Sequence, residues 1–396
     1  MLTKAGVATG YGMGRETRPL DGKYVISHDG VQPGTSTHLF VFPSRHLSIA
    51  VAANLQRIDL TAFASNLFES ITGEAWQLAP YIRPSLRPPY EVMQGLYNEG
   101  RSHVEAGRLP PGDDNDAINA AFAASAPNIA QMRLAGSVMA RALAASGVNP
   151  ERYSNVGAIG FCRDYIELYR RKPSIAQGRH FSPAFESAVA ALHAEWSRVR
   201  HPARPWLDER GAIEKLGRQM QAYRRLQAYP DYTEQLREAA LRLLVRGQDG
   251  AAIQAAQLAL DYYGDTEAAQ SLYGTVAVLI GRRDAGERAL QVALAIAPAG
   301  GASPASLNSL AYQFAANGGD AIPLLQSAVS LHPGDANLRD TLGEFYVRTG
   351  AREKALLAYR QALEINPNYP NASAAKEQIR ELSRQHGDQQ RDDQAK

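Results

Sequence analysis

A 34-residue beat near the C-terminus constrains this chain more than any other feature. From Ala336 to Tyr369, small and bulky residues fall in a fixed order: Leu342, Gly343, Tyr346, Ala355, Tyr359, Ala362 and Pro367. Gly343 and Ala355 are small where two antiparallel helices must cross closely, Tyr346 and Tyr359 fill the space beside the crossing, and Pro367 stops the second helix. Leu338, Leu342, Phe345 and Tyr346 share one helical face, and Asp335 stands where it can cap the first amides. Gly350 permits a tight turn into the second helix, whose Ala355, Tyr359, Ala362 and Leu363 face back. Pro333 and Pro298 precede Pro367 at about the same period; they follow Ala321, Leu325 and Ala328, and Leu290 and Ala293. A fainter copy surrounds Ala252, Ala256 and Ala259. The copy ending at Pro333 departs from the rest, since placing Leu310, Ala311 and Phe314 on its first helix requires an inter-helix turn shorter by two residues. Gly286 also stands where the other copies carry alanine. Three or four stacked hairpins are predicted, each covering the apolar face of its neighbour.

These residues resemble the tetratricopeptide repeat, a family of protein-binding modules, over the last third of the chain. The resemblance implies a concave groove lined by the first helices and a protein or peptide partner within it. In the Ala336 repeat the groove candidates are Asn337, Asp340, Glu344 and Arg348, three to four residues apart on one face. Their mixed charge favours a partner with basic and acidic groups, although a solvated face without ligand fits the same residues. As exposed charges they are expected to add only a few tenths of a kcal/mol each to folding. The alternative architecture is a nonrepetitive helical bundle, because periodic alanine is common in helices.

Bulk properties permit this reading and narrow it little. The 396 residues, 45% of them hydrophobic, have room for two or three domains. Net charge is +2, with arginines and acids interleaved through the helical part, so no basic stripe points to nucleic acid. Cys162 is alone, which excludes an internal disulfide framework. Nine scattered histidines, with no His-Glu-x-x-His or Cys-pair spacing, give no zinc signature, and no cofactor is expected. No segment approaches membrane-spanning length, and Met1-Leu2-Thr3-Lys4 does not open a signal peptide.

The first eighty residues are of a different kind. Thr9 to Arg15, Lys23 to His28, His38 to Phe42 and Leu47 to Asn54 are extended runs separated by Asp21-Gly22, Asp29-Gly30, Pro33-Gly34 and Pro43-Ser44. They predict an antiparallel meander. Asp59 to Gly73 then carries Leu60, Phe63, Leu67, Phe68 and Ile71 at helical spacing, predicting one helix packed on the sheet. Tyr11-Gly12-Met13-Gly14, His28-Asp29-Gly30, Pro33-Gly34 and the run Ile49 to Asn54 resemble the C-terminal end of the beta-lactamase-related serine hydrolases, the branch of class C beta-lactamases and D-Ala-D-Ala peptidases. In that family a Lys-Thr-Gly or His-x-Gly triplet borders the active site, and the resemblance places His28 and Gly30 there, with Asp29 an unusual middle residue. It covers about one fifth of the chain. The family's Ser-x-x-Lys nucleophile motif and Tyr-x-Asn motif precede that strand, and nothing precedes Met1. The expectation is therefore an inactive hydrolase remnant; the alternative is the C-terminal piece of an active peptidase or esterase. Such enzymes usually work outside the cytoplasmic membrane, which leaves localisation open.

Ser373-Ala-Ala-Lys376 and Tyr153-Ser154-Asn155 spell the two missing motifs on the wrong side of His28 and read as chance matches. Gly10, Gly12 and Gly14 read as strand glycines rather than a phosphate loop, and Asp113, Asp114 and Asp116 as helix-capping acids rather than a calcium loop. Pro80, Pro84, Pro88 and Pro89 suggest an extended spacer. After it, 117–124, 130–145 and 185–199 have helical character, the last introduced by Ser182-Pro183 with Phe185, Val189, Leu192 and Trp196 on one face. The expected organisation is an α+β remnant over 1–79, a Pro-rich and helical connecting region of unassigned role over 80–235, tetratricopeptide-like repeats over 236–380, and a disordered tail over 381–396 that is almost without apolar residues after Gln385.

Overall fold

Apolar residues that alternate with polar ones between turn pairs fold the N-terminal run into strands. The computed structural model describes residues 11–12, 15–20, 23–32, 35–42, 47–54, 60, 64, 67–68, 71, 80–106, 115–124, 127–148, 153–199 and 211–394, without the side chains of residues in 11–27, 29–34, 42, 101–106, 153–156 and 385–394. Gly10, Gly14, Phe63, Asp113 and Asp114 lie outside the described residues. The chain divides into two compact units, residues 1–205 with 221–231 and residues 206–220 with 232–396.

In the first unit, β1 (Tyr11–Gly12), β2 (Arg15–Leu20), β3 (Lys23–Gln32), β4 (Thr35–Phe42) and β5 (Leu47–Ala53) form a five-stranded sheet in sequence order. Every neighbouring pair is antiparallel, as the meander requires. β2 is an additional strand, with Pro19 inside it opposite Tyr24. Phe40 pairs with Ile49, and both are buried with Ala64 and Phe68, whereas Thr37, Ser48 and Ala50 on the other face are exposed. The helical residues 64, 67, 68 and 71 agree with the predicted helix, but Leu67 and Ile71 are exposed. Spacing by four turns Leu60, Ala64 and Phe68 inward and leaves those two beside the contact, which corrects the expected packing face.

The prolines after the sheet do not make a spacer. β6 (Pro80–Ile82) pairs antiparallel with β7 (Ala228–Pro230), and Arg83 Nε donates to Leu226 O at 2.9 Å. Pro84–Leu86 is a single 3-10 turn, and Pro88 and Pro89 fall in the first turn of α1 (Arg87–Ala106). There the missing proline N–H forfeits no helical hydrogen bond. α2 (Asn115–Ala123), α3 (Ile129–Ala145), α4 (Tyr153–Arg171), the short α5 (Pro173–Ala176) and α6 (Pro183–Trp196) follow. Sequence periodicity anticipates α2, α3 and α6. Asp116 occupies the first turn of α2, and Ser182 caps α6, accepting from Phe185 N at 3.3 Å. Met93, Leu96, Phe122, Met139, Cys162, Tyr165 and Leu192 meet in one buried cluster. Burial pushes the Cys162 thiol pKa up, so it packs as a small apolar group.

In the second unit, α7 (Ala212–Tyr223) contributes its residues up to Met220, and four helical hairpins follow among the described residues. They are α8 (Thr233–Val245) with α9 (Asp249–Tyr263), α10 (Glu267–Leu279) with α11 (Arg283–Ile296), α12 (Pro304–Ala316) with α13 (Ile322–Leu331), and α14 (Ala336–Arg348) with α15 (Arg352–Ile365). Ala252, Ala256 and Ala259 of the faint copy are fully buried on α9. Asp335 caps α14, accepting from Leu338 N at 2.9 Å. Gly286 faces Gly274 so closely that a Cβ on it would lie 2.5 Å from Val278 Cγ2 and 2.7 Å from Gly274 O. That contact explains why alanine is absent there, since an added methyl would force the two backbones apart. The inter-helix turn expected to be shorter by two is instead longer, 317–321 against 349–351 in the last hairpin, and the deficit falls on the second helix: α13 has 10 residues against 14 in α15, and starts at a proline-bearing first turn.

α16 (Ala372–Gln394) closes this unit. Leu382 is buried and its carbonyl accepts from Arg352 Nε at 2.8 Å, so the expected disordered tail does not begin at 381. Apolar residues at Ala372, Ala375, Ile379 and Leu382 supply one helical face to the last hairpin, and helix-forming residues carry the backbone onward.

Candidate functional site

The first helices α8, α10 and α12 line an open cavity of about 380 Å³ in the second unit. Its wall includes Glu234, Arg237, Glu267, Ser271, Ser309 and Gln313. Such a surface arises because second helices bury small residues against neighbouring hairpins, leaving first helices facing the hollow. Glu234 and Arg237 neutralise each other through Arg237 Nε to Oε2 at 2.9 Å and Nη2 to Oε2 at 2.6 Å. Glu267 is held differently: its Oε1 accepts from the Gly301 amide at 2.7 Å, across one repeat.

The sequence-derived candidates occupy α14, where burial separates their roles. Asp340 is buried, 7% exposed, and accepts from Tyr369 Oη at 2.6 Å and Asn371 Nδ2 at 3.3 Å. The expectation that it is an exposed, energetically minor charge is therefore corrected. Both donors come from the connection after α15, which folds over that side chain. Burial raises the Asp340 pKa, opposed by those two hydrogen bonds, with the Glu344 charge raising it further. Glu344 accepts from Tyr312 Oη at 2.6 Å and pairs with Arg348. Arg348 also lies over the Phe345 and Tyr312 rings, 4.9 and 5.9 Å from their centroids. The Tyr312 pKa is pushed up to about 12, by burial first and then by the Glu344 hydrogen bond and charge. Asn337 is half-buried at the start of the same helix. Glu267, Gly301, Tyr312, Tyr369 and Asn371 escaped the single-helix pattern; separations near one repeat, such as the 34 residues from Glu267 to Gly301, are the signal that finds them.

On β3, His28 is exposed and pairs with Leu39, Asp29 with His38, and Gly30 with Thr37. The neighbouring open surface is made by His28, Thr37, Leu39, Ala50 and Ala52. Ser373 and Lys376 are both exposed on α16, which places the Ser-x-x-Lys sequence in solvent. Tyr153, Ser154 and Asn155 open α4, and their side chains lie outside the described residues. Among the described residues there is no cluster of three metal-ligating side chains, and no helix is long and apolar enough to cross a membrane.

The tetratricopeptide repeat family matches residues 315–379, from the end of α12 into α16. No curated protein sequence matches the chain. Among solved structures, MamA AMB-1 is 21% identical over 39% of this chain and 82% of its own, with a TM-score of 0.21. MamA 41-end from Desulfovibrio magneticus RS-1 is 18% identical over 40% of this chain and 97% of its own, with a TM-score of 0.22. Superpositions this loose add nothing to what the hairpins show. Neither the family match nor these structures is beta-lactamase-related. Residues 315–379 thus match the tetratricopeptide repeat, which implies a protein-interaction scaffold with protein partners.

Proposed function

We propose that this chain captures an extended segment of a partner protein on the first-helix face of its repeats. The observation that carries the reading is the open cavity walled by α8, α10 and α12, whose hydroxyl and amide side chains can satisfy a peptide backbone. Asn337, Glu344 and Arg348 extend the surface, while Asp340 acts as its buried support. The test uses a partner recovered with the full chain. Ser309→Trp fills the cavity and should abolish capture, whereas Leu357→Arg, at a position 57% exposed on α15, should leave capture intact. Equal capture by both variants, each with an unchanged melting temperature, would sink the reading.

For residues 1–79 we propose descent from the sheet of a beta-lactamase-related serine hydrolase. The sequential antiparallel sheet with Ala64 and Phe68 against Phe40 and Ile49 supports it, as does the placement of His28 and Gly30 on β3. The exposed Ser373 lacks an apolar site to activate it, so the chain by itself should not be labelled by a fluorescent penicillin. Stoichiometric labelling would instead favour an active hydrolase.

A further inference from the structure

Glu267 differs from the other carboxylates of the first-helix face. Glu234 is neutralised by Arg237, Glu344 by Arg348, and Asp340 is enclosed by two donors. Glu267 is half-buried, makes no ion pair with any described residue, and spends one oxygen on the Gly301 amide. Its other oxygen has no hydrogen-bond donor among the described residues. Its position is also fixed from one side. A Cβ on Gly300 would lie 2.6 Å from Glu267 Cδ, and one on Gly301 2.9 Å from Ser271 Oγ, so the two glycines let the loop close directly on the carboxylate. An anion at the first residue of α10 also gains from the helix dipole, which by itself would account for the acid but not for its second oxygen in a cavity.

We propose that the cavity between α8, α10 and α12 takes a cationic side chain, lysine or arginine, of the bound segment, with the Glu267 carboxylate as its counter-ion. This rests on the peptide-capture reading above and names the partner's chemistry. Ser271 and Ser309 flank the site as neutral acceptors, and the cation in the wall, Arg237, is engaged by Glu234, so an incoming positive group meets an uncompensated negative one. Because Glu267 is already oriented, pairing costs little further ordering of the protein. An acidic or wholly apolar segment would leave that half-buried charge without a partner.

The probe is a displayed library of random dodecapeptides, panned against the full chain and followed by anisotropy on the enriched sequences. Enriched peptides should share a lysine or arginine. Replacing it with an uncharged isostere should weaken binding about tenfold, and Glu267→Gln, which keeps an acceptor for Gly301, should weaken it by a similar factor. The two losses should not add, because they remove one interaction. Enrichment without a basic residue, additive losses, or no enrichment would overturn the proposal. Peptides that bind independently of charge yet are blocked by Ser309→Trp would leave the capture reading standing, whereas peptides indifferent to Ser309→Trp would remove that reading too.

Discussion

The two ends of the first-helix face handle charge in opposite ways. Around α14 every carboxylate is committed within the fold: Asp340 to Tyr369 and Asn371, Glu344 to Tyr312 and Arg348. Around α10, Glu267 is oriented by a backbone amide and left without a counter-ion among the described residues. The first arrangement ties successive repeats together; the second holds a charge ready for something else. A helix face that looks uniform in sequence can thus carry carboxylates already paired at one end and one without a counter-ion at the other.

The largest effect should come from reversing the buried charge. Asp340→Lys places an ammonium where two donors converge, and should destabilise the chain by about 3–5 kcal/mol in chemical denaturation. A loss below about 1 kcal/mol would mean that Asp340 is as exposed as a simple surface charge. Capture and folding would fail together in this variant, so it cannot report on binding.

A milder change isolates the ionisation. Burial raises the Asp340 pKa, so the folded carboxyl keeps its proton at a pH where the unfolded one has lost it. Its contribution is fully present below the unfolded pKa, near the ordinary carboxylate value of about 3.9, and is lost as pH rises through the folded pKa. Asp340→Asn has no such titration. Its stability relative to the parent should therefore rise with pH across that window. A constant difference would show that the pKa is not raised.

Smaller effects are expected at the paired and open carboxylates. Glu344→Gln loses an ion pair whose arginine is 53% exposed and should cost about 0.5–1 kcal/mol. Glu267→Gln keeps the acceptor for Gly301 and should change stability by less than about 0.5 kcal/mol, measured in the same denaturation series. A larger loss at Glu267 than at Glu344 would erase the contrast between the two ends.

The sequence carried the hairpins and much of the sheet, because both depend on short spacings. Gly343, Ala355 and Tyr359 mark a helix crossing within one repeat, and Asp335 caps the turn beside it. The burial of Asp340 was illegible because Tyr369 and Asn371 belong to the next repeat's entrance, about thirty residues away. Glu267 was hidden for the same reason. Its partner Gly301 sits in a glycine-rich inter-repeat connection that no helical pattern reaches. Pro88 and Pro89 misled through composition: proline signals extended chain in a run, but at the start of a helix it costs nothing. Leu382 shows the same limit, since one apolar residue in a polar stretch suffices when its helix already lies against the last hairpin.

The central claim, that a partner segment lies on the first-helix face, is tested most directly by site-specific photocrosslinking. A benzophenone side chain placed at Ala268, exposed at the rim of the cavity, should crosslink to the bound partner, and one placed at Leu357, exposed on α15, should not. Crosslinks at Leu357 with none at Ala268 would contradict the account.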